Sequence, residues 1–318
     1  MKNKKLAITF TEITNEQLQK IKEIASEYEV SQMPANAVQI CESNIVFGNI
    51  KPEFIAKAPH LTWLHAHFAG VDSLLKPEVN FPEKVMLTNS AGTYGIAISE
   101  HLLTTTLMLM RRNIEYAKRQ FQNQWQPLGE VKSIYGSKIC VVGLGDIGEN
   151  YAKRCQALGA SVTGVVRTKR AIKPTTVDEL YTIDQLDEAI ANQDVVALAL
   201  PETKETIGLF NEARLNKMKT GALLLNVGRG TAIDTNALIR ALTAGQIGGA
   251  GLDVTNPEPL PHTSPLWQMD NVIITPHISG NQTLKLTNEL IVDKFIKYLQ
   301  NYIANQPFAK LVDKQLGY

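Results

Sequence analysis

Three ionisable residues stand where strand-like runs give out: Arg229 in Asn226-Val-Gly-Arg-Gly230, Glu258 in Asp253-Val-Thr-Asn-Pro-Glu-Pro259, and His277 in Thr275-Pro-His-Ile-Ser-Gly280. A guanidinium grips a carboxylate through paired hydrogen bonds. An imidazole exchanges a proton near neutral pH, and a carboxylate beside it favours the charged form. With a hydride donor added, these are the parts needed to reduce an oxo group next to a carboxylate. Singly, each has a plainer reading: Glu258 as a solvated charge in a Pro-flanked loop, Arg229 as a capping or ion-pair residue. The set carries the chemistry, because the ligand crevice of an open parallel sheet lies at the carboxyl ends of its strands.

The hydride donor has its own motif. Gly143-Leu-Gly-Asp-Ile-Gly148 follows the apolar run at residues 139–142 and opens a helical pattern at 147–158. In that setting the first glycine makes the tight turn, the second admits a pyrophosphate to the backbone, and the third lets helix and strand pack closely. About 20 residues on, an NAD site carries an acid for the ribose 2′-hydroxyl. Here the next strand ends in Arg167-Thr-Lys-Arg170. A guanidinium in place of that acid suits a 2′-phosphate, so NADP(H) is the preferred cofactor, with NAD(H) possible.

The elements that must position these residues alternate short apolar runs with longer helical patterns, as parallel βαβ units do. Strands are expected at residues 6–10, 44–47, 61–65 and 85–87, with helices near 15–27 and 52–58. A second series of six strands is expected at 138–142, 161–166, 194–200, 222–227, 249–254 and 271–274. Residues 96–112, with a polar continuation through Trp125, read as one long linking helix. A last helix at 282–302 places Leu284, Ile291, Phe295 and Leu299 on one face. The expected fold is α/β: two Rossmann-like, doubly wound parallel-sheet domains. The dinucleotide-binding domain, residues 96–282, is inserted into a discontinuous substrate domain, residues 1–95 and 283–318.

Composition excludes several alternatives. Among 318 residues, 32 Lys and Arg balance 31 Asp and Glu, which gives no electrostatic reason to expect nucleic acid or a membrane surface as partner. Apolar runs stop well short of the roughly 18 residues that span a bilayer. Cys41, Cys140 and Cys155 are odd in number and lack a metal-ligand rhythm, which fits a reduced, cytoplasmic protein without a metal. Of His65 and His67, one is expected in the core and the other facing a cleft; His101, beside Glu100, reads as structural, and His60 and His262 as loop residues.

In the order and spacing of its motifs the chain resembles the D-isomer-specific 2-hydroxyacid dehydrogenase family, most closely its glyoxylate/hydroxypyruvate reductase-like, NADP-preferring branch. The matching stretches are His67-Phe-Ala-Gly-Val-Asp72, Ser99-Glu-His101, Trp125, Gly143 to Gly148, Pro201, Asn226 to Gly230, Asp253 to Leu260, and Ser264-Pro-Leu-Trp267 leading to Thr275 to Gly280. The resemblance implies that Arg229 holds the substrate carboxylate and polarises the carbonyl, that His277 is the general acid paired with Glu258, and that Ala69 and Gly70 help bind the carboxylate. It implies cofactor contacts at Gly143, Leu144, Gly145, Asp146, Ile147, Gly148, Arg167, Thr168, Lys169, Arg170, Pro201, Thr206, Val227, Gly228, Arg229, His277 and Gly280, with Asp253 orienting the nicotinamide carboxamide. It further implies a homodimer formed through the linking helix and residues 121–135. The small-molecule substrate is a 2-oxo acid; glyoxylate, hydroxypyruvate and branched or aromatic acids stay open, with Tyr94 and Trp267 either lining the pocket or packing. An NAD-dependent phosphoglycerate dehydrogenase-like enzyme, using Lys51 and Lys57, and a nucleotide-sensing co-repressor-like binding protein are the alternatives. Glu258 argues against a formate dehydrogenase.

Overall fold

The computed structural model describes residues 4–280 and 284–317. It divides into two compact units, one of Met1–Tyr94 with Gln282–Tyr318 and one of Gly95–Asn281. Each is built on its own parallel sheet.

In the first unit, β1 (Lys4–Ile8), β2 (Tyr28–Gln32), β3 (Ile45–Phe47), β4 (Trp63–Ala66) and β5 (Met86–Asn89) run in the spatial order β2-β1-β3-β4-β5, all pairs parallel. This is a doubly wound arrangement whose order reverses beside β1. Helix α1 (Asn15–Ile24) starts where Thr14 accepts from the Gln17 amide and Gln17 reaches back to the Thr14 amide. A short α2 (Pro52–Ile55) opens on a proline, which lacks the amide that a first helical turn leaves unused.

The second unit holds β6 (Lys138–Val142), β7 (Ser161–Val166), β8 (Glu179–Thr182), β9 (Val195–Leu198), β10 (Ala222–Asn226), β11 (Ile247–Leu252) and β12 (Val272–Ile274). Their order, β12-β11-β10-β9-β6-β7-β8, reverses between β6 and β9, as in a dinucleotide-binding sheet. Helices α3 (Gly95–Met110), α4 (Asn113–Phe121), α5 (Asp146–Ala157), α6 (Leu186–Ile190), α7 (Glu212–Leu215) and α8 (Thr235–Thr243) belong to this unit, and α9 (Lys285–Ile303) to the first. No helix among the described residues is long and apolar enough to cross a membrane.

The α/β class with two parallel sheets is as expected, and several details differ. Each sheet has one more strand than the apolar runs suggest. Both additions, β2 and β8, are edge strands with mixed, partly exposed faces, so they lack the continuous apolar run of a strand covered on both sides. The linking helix is two helices: Arg112 adopts a left-handed φ of 56° between α3 and α4. There its guanidinium pairs with Glu115 and donates to the Leu128 carbonyl, which turns the chain without Gly or Pro.

The last helix buries Ile291, Phe295 and Leu299 as its spacing predicts, while Leu284 is a half-exposed cap residue. Gln282, the expected helix start, lies outside the described residues. Phe295 stacks on Phe47 at 4.0 Å and on Trp63 at 5.4 Å, so α9 completes the first unit's core.

Candidate active site

The strand ends of the second sheet carry the predicted residues of this unit, and two of them, His277 and Glu258, are brought into contact. Between β6 and α5, Gly143 takes a φ of +98°, and a Cβ there would lie 2.5 Å from the Ala199 carbonyl oxygen. A Cβ on Gly148 would fall 2.0 Å from the Gly143 carbonyl oxygen, closer than any side chain tolerates. Gly145 differs: a Cβ there meets nothing within 4 Å. Among the described residues nothing forbids a side chain at Gly145, whereas a phosphate drawn to the start of α5 would. Leu144, Asp146 and Ile147 fill the remaining positions of this loop, Asp146 as the first residue of α5. The loop therefore fits the pyrophosphate of a dinucleotide.

Arg167, Thr168 and Lys169 follow β7 and are exposed, and the charge of Arg167 is felt by the Glu205 carboxylate. Arg170 has a different occupation from the one expected. Its guanidinium pairs with Glu149 at 2.6 Å and donates to the Leu144 carbonyl, so it braces the glycine loop against α5. Beyond β9, Pro201 begins a tight loop in which the Thr206 hydroxyl donates to the Pro201 carbonyl at 2.7 Å and accepts the Thr203 amide at 2.8 Å.

After β10, the Asn226 side chain folds over the next turn, accepting the Gly228 amide at 3.0 Å and donating to the Arg229 carbonyl at 2.9 Å. Val227 is buried, and Gly228 passes so close to Leu200 that a Cβ would lie 2.4 Å from its carbonyl oxygen. Arg229, half-buried, donates from Nη1 to the Gly228 carbonyl. The residue types alone give the Asn226 side chain no part, although an Asn two residues before a Gly is an Asx-turn pattern.

His277 and Glu258 meet, with Nδ1 to Oε1 at 2.7 Å and both side chains close to half exposed. An ionised carboxylate only accepts, so Nδ1 carries the proton of this bond and Nε2 is left for other chemistry. His277 has a φ of 53°, a left-handed conformation that costs a residue other than glycine on the order of 1 kcal/mol. Asp253 holds it there. The His277 amide donates to the Asp253 carbonyl at 2.8 Å, while the Asp253 carboxylate accepts from Thr275 Oγ1 at 2.6 Å, the Ile278 amide at 2.9 Å and the Ser279 amide at 3.0 Å.

Asp253 is 2% exposed. Burial alone would raise its pKa, but the bonds from Ser279, Thr275 and Ile278 outweigh it and hold the carboxyl below the usual range. Both oxygens are engaged by the turn that presents His277, so Asp253 positions that turn in addition to any part toward the carboxamide. His101 approaches the same turn, with Nε2 3.3 Å from Thr275 Oγ1 and 4.0 Å from Asp253. Gly280 follows the clamped segment directly.

In the first unit, Ala69 and Gly70 lie in the loop beyond β4, where the Asn89 side chain donates to the Ala69 carbonyl at 2.5 Å. His65 is fully buried, and His67 stands at the strand's carboxyl end. Tyr94 is buried and donates to the His67 carbonyl at 2.6 Å; Trp267 is partly exposed and donates to the Pro261 carbonyl at 3.0 Å.

A glycine loop fitted to pyrophosphate, on a sheet of dinucleotide-binding order with an imidazole–carboxylate pair at its strand ends, defines a nicotinamide-dependent oxidoreductase. Residues 103–279 match the family model described as D-isomer specific 2-hydroxyacid dehydrogenase, NAD binding domain. A glyoxylate reductase from Thermofilum pendens is 35% identical over 236 residues, 73% of this chain and 69% of its own. A crystal structure of a D-isomer specific 2-hydroxyacid dehydrogenase family protein from Aeromonas salmonicida superposes with a TM-score of 0.83 at 31% identity, covering 98% of this chain and 99% of its own. The NADPH-dependent glyoxylate/hydroxypyruvate reductase of Sinorhizobium meliloti, solved with NADP and sulfate, gives 0.82 at 25% identity over 99% of this chain and 100% of its own. The chain belongs to the D-isomer-specific 2-hydroxyacid dehydrogenase family.

Proposed function

We propose that the protein is an NADP(H)-preferring reductase of small 2-oxo acids that yields the D-2-hydroxy acid. The observation that carries the reading is the 2.7 Å contact between His277 and Glu258 on the Asp253-clamped turn of the second sheet. A bound nicotinamide supplies the hydride. His277 hands the proton of Nε2 to the oxo oxygen as the alcohol forms, and Glu258 balances the charge on the imidazole. Arg229 grips the substrate carboxylate and draws electron density from the carbonyl. Ala69 and Gly70 are assigned a further share of the carboxylate on the family resemblance.

The cofactor preference rests on Arg167, Thr168 and Lys169 standing where an NAD site has an acid; Arg170 is a brace for the glycine loop. Glyoxylate and hydroxypyruvate are the first substrates to try, since relatives at 35% and 25% identity bear those names. A homodimer is in keeping with the exposure of Phe121 (85%), Trp125 (102%) and Tyr135 (80%) along the segment after α4, large apolar side chains of the kind an interface covers. Cysteines that are free of disulfides fit a cytoplasmic setting.

The test is a matrix of kcat/KM for NADPH and NADH against 2-oxo acids, run on the wild type and on Arg167→Ala. NADPH should be preferred, and Arg167→Ala should erode that preference about 10- to 100-fold, the worth of charge-assisted bonds to a phosphate. A wild type that prefers NADH overturns the cofactor assignment. Tight cofactor binding without turnover of any 2-oxo acid overturns the activity.

A further inference from the structure

Two imidazoles stand two residues apart at the end of β4 and differ in how their nitrogens are used. His65 spends both: Nδ1 lies 2.6 Å from Thr88 Oγ1 and Nε2 3.3 Å from Ser90 Oγ. His67 has a buried Nδ1 with no hydrogen-bond partner among the described residues. Buried polar atoms in native folds are nearly always satisfied, by protein, water or ligand, and an exception asks for a cause.

The surroundings of His67 are those of a binding position. Its carbonyl is pinned by the Tyr94 hydroxyl at 2.6 Å. Its ring is set between Phe10, centroids 5.3 Å apart, and Phe68, nearly perpendicular at 5.0 Å. Phe10, Gly48 and His67 follow β1, β3 and β4, at the carboxyl end where parallel sheets take ligands. Burial lowers the pKa of His67, opposed in part by the Gly48 backbone carbonyl, which accepts from the ring, so the neutral ring is left with one acceptor nitrogen to offer and no charge.

We infer that His67 reads the substrate side chain, making a hydrogen bond to a hydroxyl on the carbon next to the oxo carbon, so that the enzyme favours 3-hydroxy-2-oxo acids. The inference rests on the reductase activity proposed above and on the nearness in sequence of Ala69 and Gly70, which that activity assigns to the carboxylate. An uncharged ring provides no counter-ion for a second carboxylate. An apolar side chain would leave the ring nitrogen without a partner, which is how sites built for a hydroxyl reject its absence. The rings of Phe10 and Phe68 fix the imidazole's direction, so it cannot turn away to solvent at little cost.

The experiment measures kcat/KM for hydroxypyruvate, glyoxylate and 2-oxobutanoate with saturating NADPH, on the wild type, His67→Leu and His67→Gln. The wild type should prefer hydroxypyruvate to 2-oxobutanoate. In His67→Leu the hydroxypyruvate-to-glyoxylate ratio should fall about 10- to 100-fold, the loss of one buried hydrogen bond, and the ratio for 2-oxobutanoate should rise. His67→Gln, which keeps a donor and an acceptor, should recover most of the hydroxypyruvate ratio, and it decides the matter if His67→Leu does not fold. Ratios that stay put in the variants, or a wild type that prefers 2-oxobutanoate, overturn the role of His67 alone. A wild type that binds NADPH yet reduces none of the three acids overturns the reductase activity and, with it, this inference.

Discussion

His65 and His277 show the same imidazole in opposite settings in the two units. His65 lies within β4, fully buried, bonded to Thr88 and Ser90, with the rings of Trp63, Phe47, Phe295 and Tyr298 around it. Burial, aided by the charge of Lys294, pushes its pKa down to about 3, so it serves as a neutral bridge between hydroxyls. His277 lies just past β12, close to half exposed, with a carboxylate on Nδ1 and a left-handed backbone held by Asp253. Proton transfer needs a ring nitrogen that a substrate can reach. The fold supplies that by keeping His277 out of the core and spending backbone strain to aim it.

The largest effect should come from breaking the functional member of this comparison. His277→Asn retains a side chain that tolerates the left-handed conformation but cannot act as a general acid. Turnover should fall about 10²- to 10⁴-fold, the usual worth of positioned proton transfer, while the Kd for cofactor, read by quenching of protein fluorescence, shifts little. A comparable loss in cofactor affinity would place His277 in the binding machinery instead.

Breaking the structural member should act on stability. His65→Leu removes both hydroxyl contacts, yet Trp63 Nε1 still bonds Thr88 at 2.8 Å and Ser90 still bonds the Ala66 carbonyl at 3.1 Å, so the cost at pH 7 should be about 1–3 kcal/mol in urea unfolding. The pH dependence has a definite sign. With a folded pKa of about 3 against an ordinary 6.5, the unfolded state binds the extra proton between those limits. The stability linked to neutral His65 is therefore complete above pH 6.5 and is lost as pH falls toward 3, by up to about 1.4 kcal/mol per pH unit. His65→Leu lacks this component, so the gap between the two proteins should close on acidification. A gap that widens would contradict the buried, neutral assignment.

Much of this arrangement was legible in the amino-acid order. Runs such as 138–142 and 161–166 are buried on both faces and read as parallel strands without ambiguity, and the three glycines announced the loop that follows the first of them. The edge strands β2 and β8 were not legible, because a strand with one covered face and few apolar residues gives no period to count. Nor was the break at Arg112, which depends on bonds to Glu115 and Leu128 rather than on a helix-breaking residue. At the site, residue types singled out Arg229, Glu258 and His277, and the contact between the last two is what the structure adds. The employment of Asp253 and Arg170 depends on which distant backbone groups they meet, and spacing along the chain does not encode that.

The pair itself admits the most direct test: kcat for 2-oxo acid reduction in the wild type, Glu258→Gln, His277→Asn and the double variant. The Glu258 carboxylate lies 2.7 Å from Nδ1, and an amide in its place keeps the bond's reach but not its charge. Groups that act as a unit lose activity together, so Glu258→Gln should cost turnover in the wild type and almost nothing further once His277 is Asn. Losses that multiply in the double variant would contradict the pairing on which the proposed mechanism stands.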